Sequence, residues 1–378
     1  MRPAKVARGP VLKAEGTAVT DSDFLIIGGG IAGLSAGAAL SGLGRVTVLE
    51  AESALAFHAS GRSAALYEPM YGAPSVVALS QASAETFFAV PDLLKPRGLM
   101  LVASADEEEA FRHEVAAMAL SPIGVAEARD AVPVLNPESV AFAARGDQAW
   151  DIDTDLLIQA HARTIRAHGG TIVTDAAVTG LARTPTGWLA TTKAGEFGGR
   201  LLINAAGAWA DAIARLAGVA PVGLQPLRRS MARIPAPGGH DIARWPMIFG
   251  PGESFYAKPD AGALIVSPAE EHPVEPHDAW ADDMVLAEGL ARYEAMVTEP
   301  VSRLLASWAG LRTFAPDRVL VIGPDPDEPA FFWLAGQGGY GFQTSAAVSR
   351  LVADLIAGRP PALDRPILAA VDPARLRS

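Results

Sequence analysis

There is no cysteine in the 378 residues. The chain therefore forms no disulfide, thiolate metal site or iron–sulfur cluster, has no thiol nucleophile, and carries no cofactor through a cysteine link. Charge is scarce as well, at 19% of residues, and the 42 acids outnumber the 31 bases, for a formal net charge of -11. Phosphate backbones are bound by clustered Lys and Arg on a basic surface, so no nucleic-acid partner is expected. Long apolar runs are missing too. The nearest, residues 24–43, is broken by six glycines and two serines, and residues 1–23 contain no apolar signal core. We expect no integral membrane segment, a cytoplasmic location with peripheral membrane attachment left open, and a flexible N-terminal extension over 1–22.

Glycine is plentiful, at 37 residues, and its placement is informative. Phe24-Leu25-Ile26-Ile27 reads as a buried parallel strand and runs directly into Gly28-Gly29-Gly30-Ile31-Ala32-Gly33. Small residues follow at helical spacing, and a second strand, Val46-Thr47-Val48-Leu49, ends in Glu50. This is G-x-G-x-x-G in its working context of strand, turn and helix. Gly28 makes the turn, Gly30 admits a pyrophosphate, Gly33 lets the helix pack on the strand, and Glu50 reaches the adenosine ribose hydroxyls. The helix N-terminus offers free N–H groups, including those of Ile31 and Ala32, to the phosphates.

The motif alone fits either FAD or NAD. Two later junctions repeat the pattern: Leu201-Leu202-Ile203 into Asn204-Ala205-Ala206-Gly207-Ala208-Trp209, and Phe331 to Ala335 into Gln337-Gly338-Gly339-Tyr340-Gly341-Phe342-Gln343-Thr344. The last should lead into a helix beginning near Ser345. Three such junctions spread along the chain predict one sheet assembled from distant segments, with the intervening stretches building another domain.

On these motifs, together with His58-Ala59-Ser60-Gly61-Arg62-Ser63-Ala64-Ala65, Asp151 to Asp155, Gln225 to Ser230, Glu253-Ser254-Phe255-Tyr256 and Trp308 to Arg312, the sequence resembles the D-amino-acid oxidase family of FAD-dependent oxidoreductases. Within that family it is most similar to the D-arginine dehydrogenases. The resemblance runs from about Asp23 to the last helix. It implies an α/β fold with a discontinuous Rossmann-like FAD domain (23–88, 151–219, 315–378) and a substrate domain (89–150, 220–314) built on a mostly antiparallel or mixed sheet. FAD is expected to be non-covalent. The resemblance places Gly61, Arg62, Ser63, Ala64 and Ala65 along the pyrophosphate and flavin ring, and Val178 at the adenine through its backbone. Ala206, Gly207 and Trp209 would border the cofactor, and Gly338, Gly339, Tyr340, Gly341, Gln343 and Thr344 would run beneath the ring.

The resemblance also assigns the substrate carboxylate to Arg229, Tyr256 and Arg312, with Tyr71 as a lid and Gly339 beside the substrate. The chemistry suits the assignment, since a guanidinium fork and a phenol make directed, charge-assisted bonds to a carboxylate. Arg228 should point away from Arg229, because successive strand side chains alternate faces. Where D-arginine dehydrogenases have a histidine and a substrate-binding glutamate, this chain has Leu66 and Leu99. A buried guanidinium without a carboxylate is costly, so an apolar or neutral D-amino acid is the expected substrate. Glu68, on the same loop, is the candidate to stand in for the missing acid, though nothing in the sequence places it inside the pocket. With no histidine, the substrate amine would bind neutral or lose its proton to water or Tyr256.

Oxygen-using relatives hold a lysine over the flavin. Ile265 stands at the matching position, with Lys258 the nearest lysine, so a quinone or other carrier is the expected electron acceptor. The alternatives are an oxidase of secondary amines, glycine or 2-hydroxy acids, and a flavin-binding partner protein without turnover. No metal site is expected: His272, His277 and Asp278 fall in a proline-containing loop.

Overall fold

The computed structural model describes residues 20–377. The extension expected at 1–22 lies outside them up to residue 19, but Thr20–Ile27 is already a strand. It starts early because Thr20, Asp21 and Ser22 pair with Phe197, Gly198 and Gly199 of the long strand Gly195–Asn204. Among the described residues, three sheets form, of eight, nine and three strands.

The first sheet has a parallel centre in which Thr20–Ile27 lies between Gly195–Asn204 and Val46–Leu49, with Thr171–Val173 and Phe331–Ala335 outside them. Its residues alternate: Phe24 and Ile26 enter one apolar core, Leu25 and Ile27 another. A parallel strand needs both faces covered, and this one has helices Ile31–Leu40, Thr154–Ala167 and Gly341–Ala357 on the first face and Ala210–Leu216 on the second. Helix Ile31–Leu40 buries residues on every side, as its lack of charge permits. Helix Thr154–Ala167 starts where the Asp153 side chain accepts the Leu156 N–H and ends at Gly169 with φ +77°.

The second sheet is antiparallel except for the pair Leu99–Ala103 with Met247–Phe249. One face, with Ala257, Leu264 and Val266, packs under helix Asp283–Ala295 through Leu286 and Tyr293. The opposite face carries Leu99, Leu101, Met231, Phe249, Tyr256 and Ile265, with Ala64 and Leu66 packed against it from the loop that follows the first βαβ unit. An α/β fold with a dinucleotide-type sheet and a mixed, largely antiparallel second sheet is thus what forms.

Candidate active site

A cleft of about 430 Å³ lies between the two large sheets. At its dinucleotide end, Gly28 has φ +112°, and a Cβ there would stand 2.3 Å from the Ala205 carbonyl oxygen. A Cβ on Gly33 would stand 2.0 Å from the Gly28 carbonyl oxygen, so helix and turn touch backbone to backbone. Glu50 is buried, and its two carboxylate oxygens accept the N–H groups of Gly29 (2.7 Å) and Glu52 (2.9 Å). Those bonds aim the carboxylate and leave lone pairs for ribose hydroxyls. Ser60, which the sequence did not single out, accepts the Ile31 N–H at 3.0 Å and so caps the first helix. A loop serine more than one turn of chain away leaves no local signal of this.

The cleft is lined by Gly28, Gly30, Ile31, Ala32 and Glu50 from the first unit, by Arg62, Ser63 and Ala64, by Val178, and by Ala206, Gly207 and Trp209. Gly338, Gly339 and Gly341 complete that wall. Gly33, Gly61, Ala65, Tyr340, Gln343 and Thr344 do not line it. The long helix begins at Gly341, not near Ser345, so the last two fall in its first turn. Thr344 then bonds back to the Tyr340 carbonyl, and Gln343 ties down the 68–71 loop through the Glu68 N–H and the Tyr71 carbonyl. The Arg62 guanidinium, at the edge of the cleft, is also bonded within the protein. It donates to the Ala279 and Ala309 carbonyls and to Asp278 (2.8, 3.0 and 2.6 Å), which ties this segment to the strand Ala306–Phe314 and to the 278–279 loop.

At the other end, strand pairing sets Leu227 opposite Arg312 and Arg229 opposite Gly310. Both arginines thereby share the face turned to the cleft and both line it. Arg228 points the other way, toward Glu270, Asp282 and His272. Arg229 is 3% exposed, yet its Nε has no partner, and neither has the hydroxyl of buried Tyr256. Unpartnered buried donors are costly, and two of them converging beside Arg312 fit an anionic ligand. Burial works against the Arg312 charge, but Tyr256, Tyr71 and Glu253 outweigh it and raise its pKa. Leu66 and Leu99 pack with Tyr256 in the apolar cluster, and these three, like Tyr71, are not among the residues that line the cleft.

Glu253 belongs to one of the motifs that carry the resemblance, but the sequence assigns it no role. Its carboxylate accepts from Arg229 (2.9 Å) and from the Tyr71 hydroxyl, with Arg312 near enough to act on its charge. Burial alone would raise its pKa, but the two arginines and Tyr71 hold it below the usual carboxylate range. Burial, then the Glu253 charge, drives the Tyr71 hydroxyl up. Lys258 is the cross-strand partner of Ile265, and its ammonium lies 2.8 Å from Asp151, which Arg97 also grips at 2.9 Å.

Glu68 is buried with one carboxyl oxygen unpartnered, and burial raises its pKa from 4.5 to about 7, against the pull of the Met70 and Tyr71 N–H groups. Between those two values the folded chain binds the proton that the unfolded chain releases, so stability falls as pH rises from 4.5 to 7 and levels off above. The span amounts to roughly 3 kcal/mol. Denaturation followed at pH 5, 6, 7 and 8 should show this slope in the native protein and lose it in Glu68→Gln; an unchanged slope in the variant would place the titration elsewhere.

A dinucleotide cradle facing two arginines across one cleft is the arrangement of a nucleotide-cofactor oxidoreductase. The match to known proteins makes the cofactor specific: residues 23–355 fit the family model DAO, FAD dependent oxidoreductase. The chain belongs to that family and binds FAD non-covalently. It is 26% identical to the FAD-dependent oxidoreductase domain-containing protein 1 of Bos taurus, over 89% of this chain and 81% of that one. It is also 26% identical to the tRNA 5-methylaminomethyl-2-thiouridine biosynthesis bifunctional protein MnmC of Burkholderia multivorans, but spans only 58% of that protein's length. Among solved structures, glycine oxidase from Geobacillus kaustophilus superposes with a TM-score of 0.80 at 22% identity, covering 92% of this chain and 98% of that one. L-proline dehydrogenase from P. horikoshii gives 0.80 at 22%, covering 95% and 98%. These structural likenesses show the fold alone and do not single out a D-arginine dehydrogenase.

Proposed function

We propose that the protein oxidatively deaminates a D-amino acid with an apolar or neutral side chain, yielding an imino acid that water converts to a 2-oxo acid and ammonia. The observation that carries this reading is the pair of arginines on adjacent strands, aimed into the FAD cleft beside the unpartnered Tyr256 hydroxyl. Gly28, Gly30, Glu50, Ala64, Ala206 and Gly339 would hold the cofactor, and bound FAD supplies the acceptor for the Cα hydride. Arg312 and Arg229 take the substrate carboxylate, and Tyr256 adds a directed hydrogen bond. Fixing that carboxylate fixes Cα, and orientation is most of what hydride transfer asks of the protein. Leu66, Leu99, Met231 and Phe249 keep the surroundings apolar, which strengthens the clamp and disfavours a charged side chain. The salt bridge of Lys258 to Asp151 and the apolar Ile265 across from it support an electron acceptor other than oxygen, such as a quinone.

The relatives named for glycine and L-proline favour a second reading, oxidation of glycine or a secondary amine, which the same clamp would serve. Anaerobic mixing of the FAD-loaded protein with D- and L-alanine, D-leucine, D-arginine, glycine, sarcosine and D-lactate separates the two by bleaching of the flavin absorbance. D-leucine and D-alanine are expected to bleach it and D-arginine not. Bleaching by glycine or sarcosine with D-leucine inert would select the second reading, and bleaching by D-arginine would remove the meaning given to Leu66 and Leu99.

A further inference from the structure

The clamp is already gripping a carboxylate, and that carboxylate belongs to the protein. Glu253 takes one bond from Arg229 at 2.9 Å and one from the Tyr71 hydroxyl. Its backbone is held in the left-handed region, φ +51°, directly after Gly252 at φ +62°. Non-glycine residues adopt that conformation when their surroundings enforce it. Here Glu114 accepts the Gly252 N–H at 2.7 Å, and Arg292 donates to the Ser254 carbonyl at 2.6 Å, so the loop is pinned on both sides of Glu253. Meanwhile Arg229 Nε and the Tyr256 hydroxyl stay buried without partners, an incomplete set that one more carboxylate would fill.

We propose that Glu253 determines the specificity of this clamp: its carboxylate competes with the ligand's for Arg229 and Tyr71, so that plain carboxylates bind poorly and zwitterions, whose ammonium group it attracts, bind well. The proposal rests on the reading of Arg229, Arg312 and Tyr256 as a carboxylate clamp. Two anions sharing one pair of guanidinium groups repel in a site sheltered from water, and each must give up part of its pairing. A ligand that brings its own cation restores the balance. A 2-hydroxy acid or a simple fatty acid does not. The same charge leaves the arginines electrostatically less demanding, which matches Arg229 being shared a second time with Glu271 at 3.3 Å.

Two ligands of nearly one shape isolate the effect. 2-Aminoisobutyrate is a zwitterion with no hydrogen on Cα and cannot be oxidised there, whereas pivalate replaces its ammonium by a methyl group. Dissociation constants for both are read from the perturbation of the flavin spectrum in the FAD-loaded native protein, in Glu253→Gln and in Arg312→Leu. The native protein should prefer the zwitterion by at least about tenfold, and Glu253→Gln should bring the two within about threefold, mainly by tightening pivalate. If the Gln variant retains no FAD, Glu253→Ala is read in the same way. A native protein without preference, or a variant that keeps the native ratio or weakens both ligands alike, overturns the role of Glu253 and leaves the clamp standing. If neither ligand binds to the native protein or to Glu253→Gln, or if Arg312→Leu binds both as the native protein does, the clamp itself is wrong and the proposal falls with it.

Discussion

Replacing Arg312 by leucine should lower the second-order rate of flavin reduction by a D-amino acid about a thousandfold, with FAD retained. Removing one partner of a buried, hydrogen-bonded charge pair costs ~2–5 kcal/mol, and each ~1.4 kcal/mol is a factor of ten. Arg312 should sit at the upper end of that range, because the other cation of the clamp, Arg229, is already engaged by two carboxylates of the protein. Tyr71, Tyr256 and Glu253 all raise its pKa, and Arg229 is divided between Glu253 and Glu271. Arg312→Lys keeps the charge but loses the planar fork, so it should recover only part of the loss. Because the clamp both binds the substrate and points its Cα, the maximal rate should fall as well as the apparent affinity. Stopped-flow reduction under anaerobic conditions separates the two. A Leu variant within tenfold of the native protein would mean that the carboxylate is held elsewhere.

The parts of this molecule that were readable from sequence are those written by near neighbours. The first βαβ unit declares itself because strand, turn and helix are contiguous, and Gly33 is demanded by the Gly28 carbonyl only five residues before it. The opposite facing of Arg228 and Arg229 follows from strand alternation alone, and their separate partners, Glu270 and Asp282 for Arg228 against Glu253 and Glu271 for Arg229, bear it out. What stayed hidden depends on segments brought from afar. Thr20 to Ser22 join a strand only because residues near 198 offer an open edge. Ser60 caps a helix that begins 29 residues earlier. Glu253 lies in a quoted motif beside Tyr256, yet its partners are Tyr71 and Arg229, 182 and 24 residues away. The start of the last helix was misplaced for a local reason: glycine and tyrosine at 339–341 disguise a first turn that has no capping side chain. Gln343 and Thr344 therefore sit in a first helical turn, with side chains bonded to the 68–71 loop and to the Tyr340 carbonyl.

Gly33→Ala should yield a protein that purifies with little or no FAD. The added methyl would stand 2.0 Å from the Gly28 carbonyl oxygen, 3.1 Å from its carbon and 3.2 Å from Ile26 Cγ2, and the first two are backbone atoms that no rotamer change can move. Gly28 cannot retreat, since it holds φ +112° with the Ala205 carbonyl on its other side. The helix must therefore lift off the turn, which separates the Ile31 and Ala32 N–H groups from the place where a pyrophosphate would lie and pulls Glu50 out of line with the Gly29 N–H. Overpacking of this kind costs about 3 kcal/mol, which in a chain of this size lowers Tm by roughly 5 °C. Gly42→Ala serves as the control, because a Cβ there meets nothing within 4 Å. The ratio of flavin to protein absorbance in the purified variants and their thermal midpoints decide the matter. A Gly33→Ala protein as yellow and as stable as the Gly42→Ala control would show that helix and turn are not in backbone contact and that the phosphate cradle lies elsewhere in the cleft.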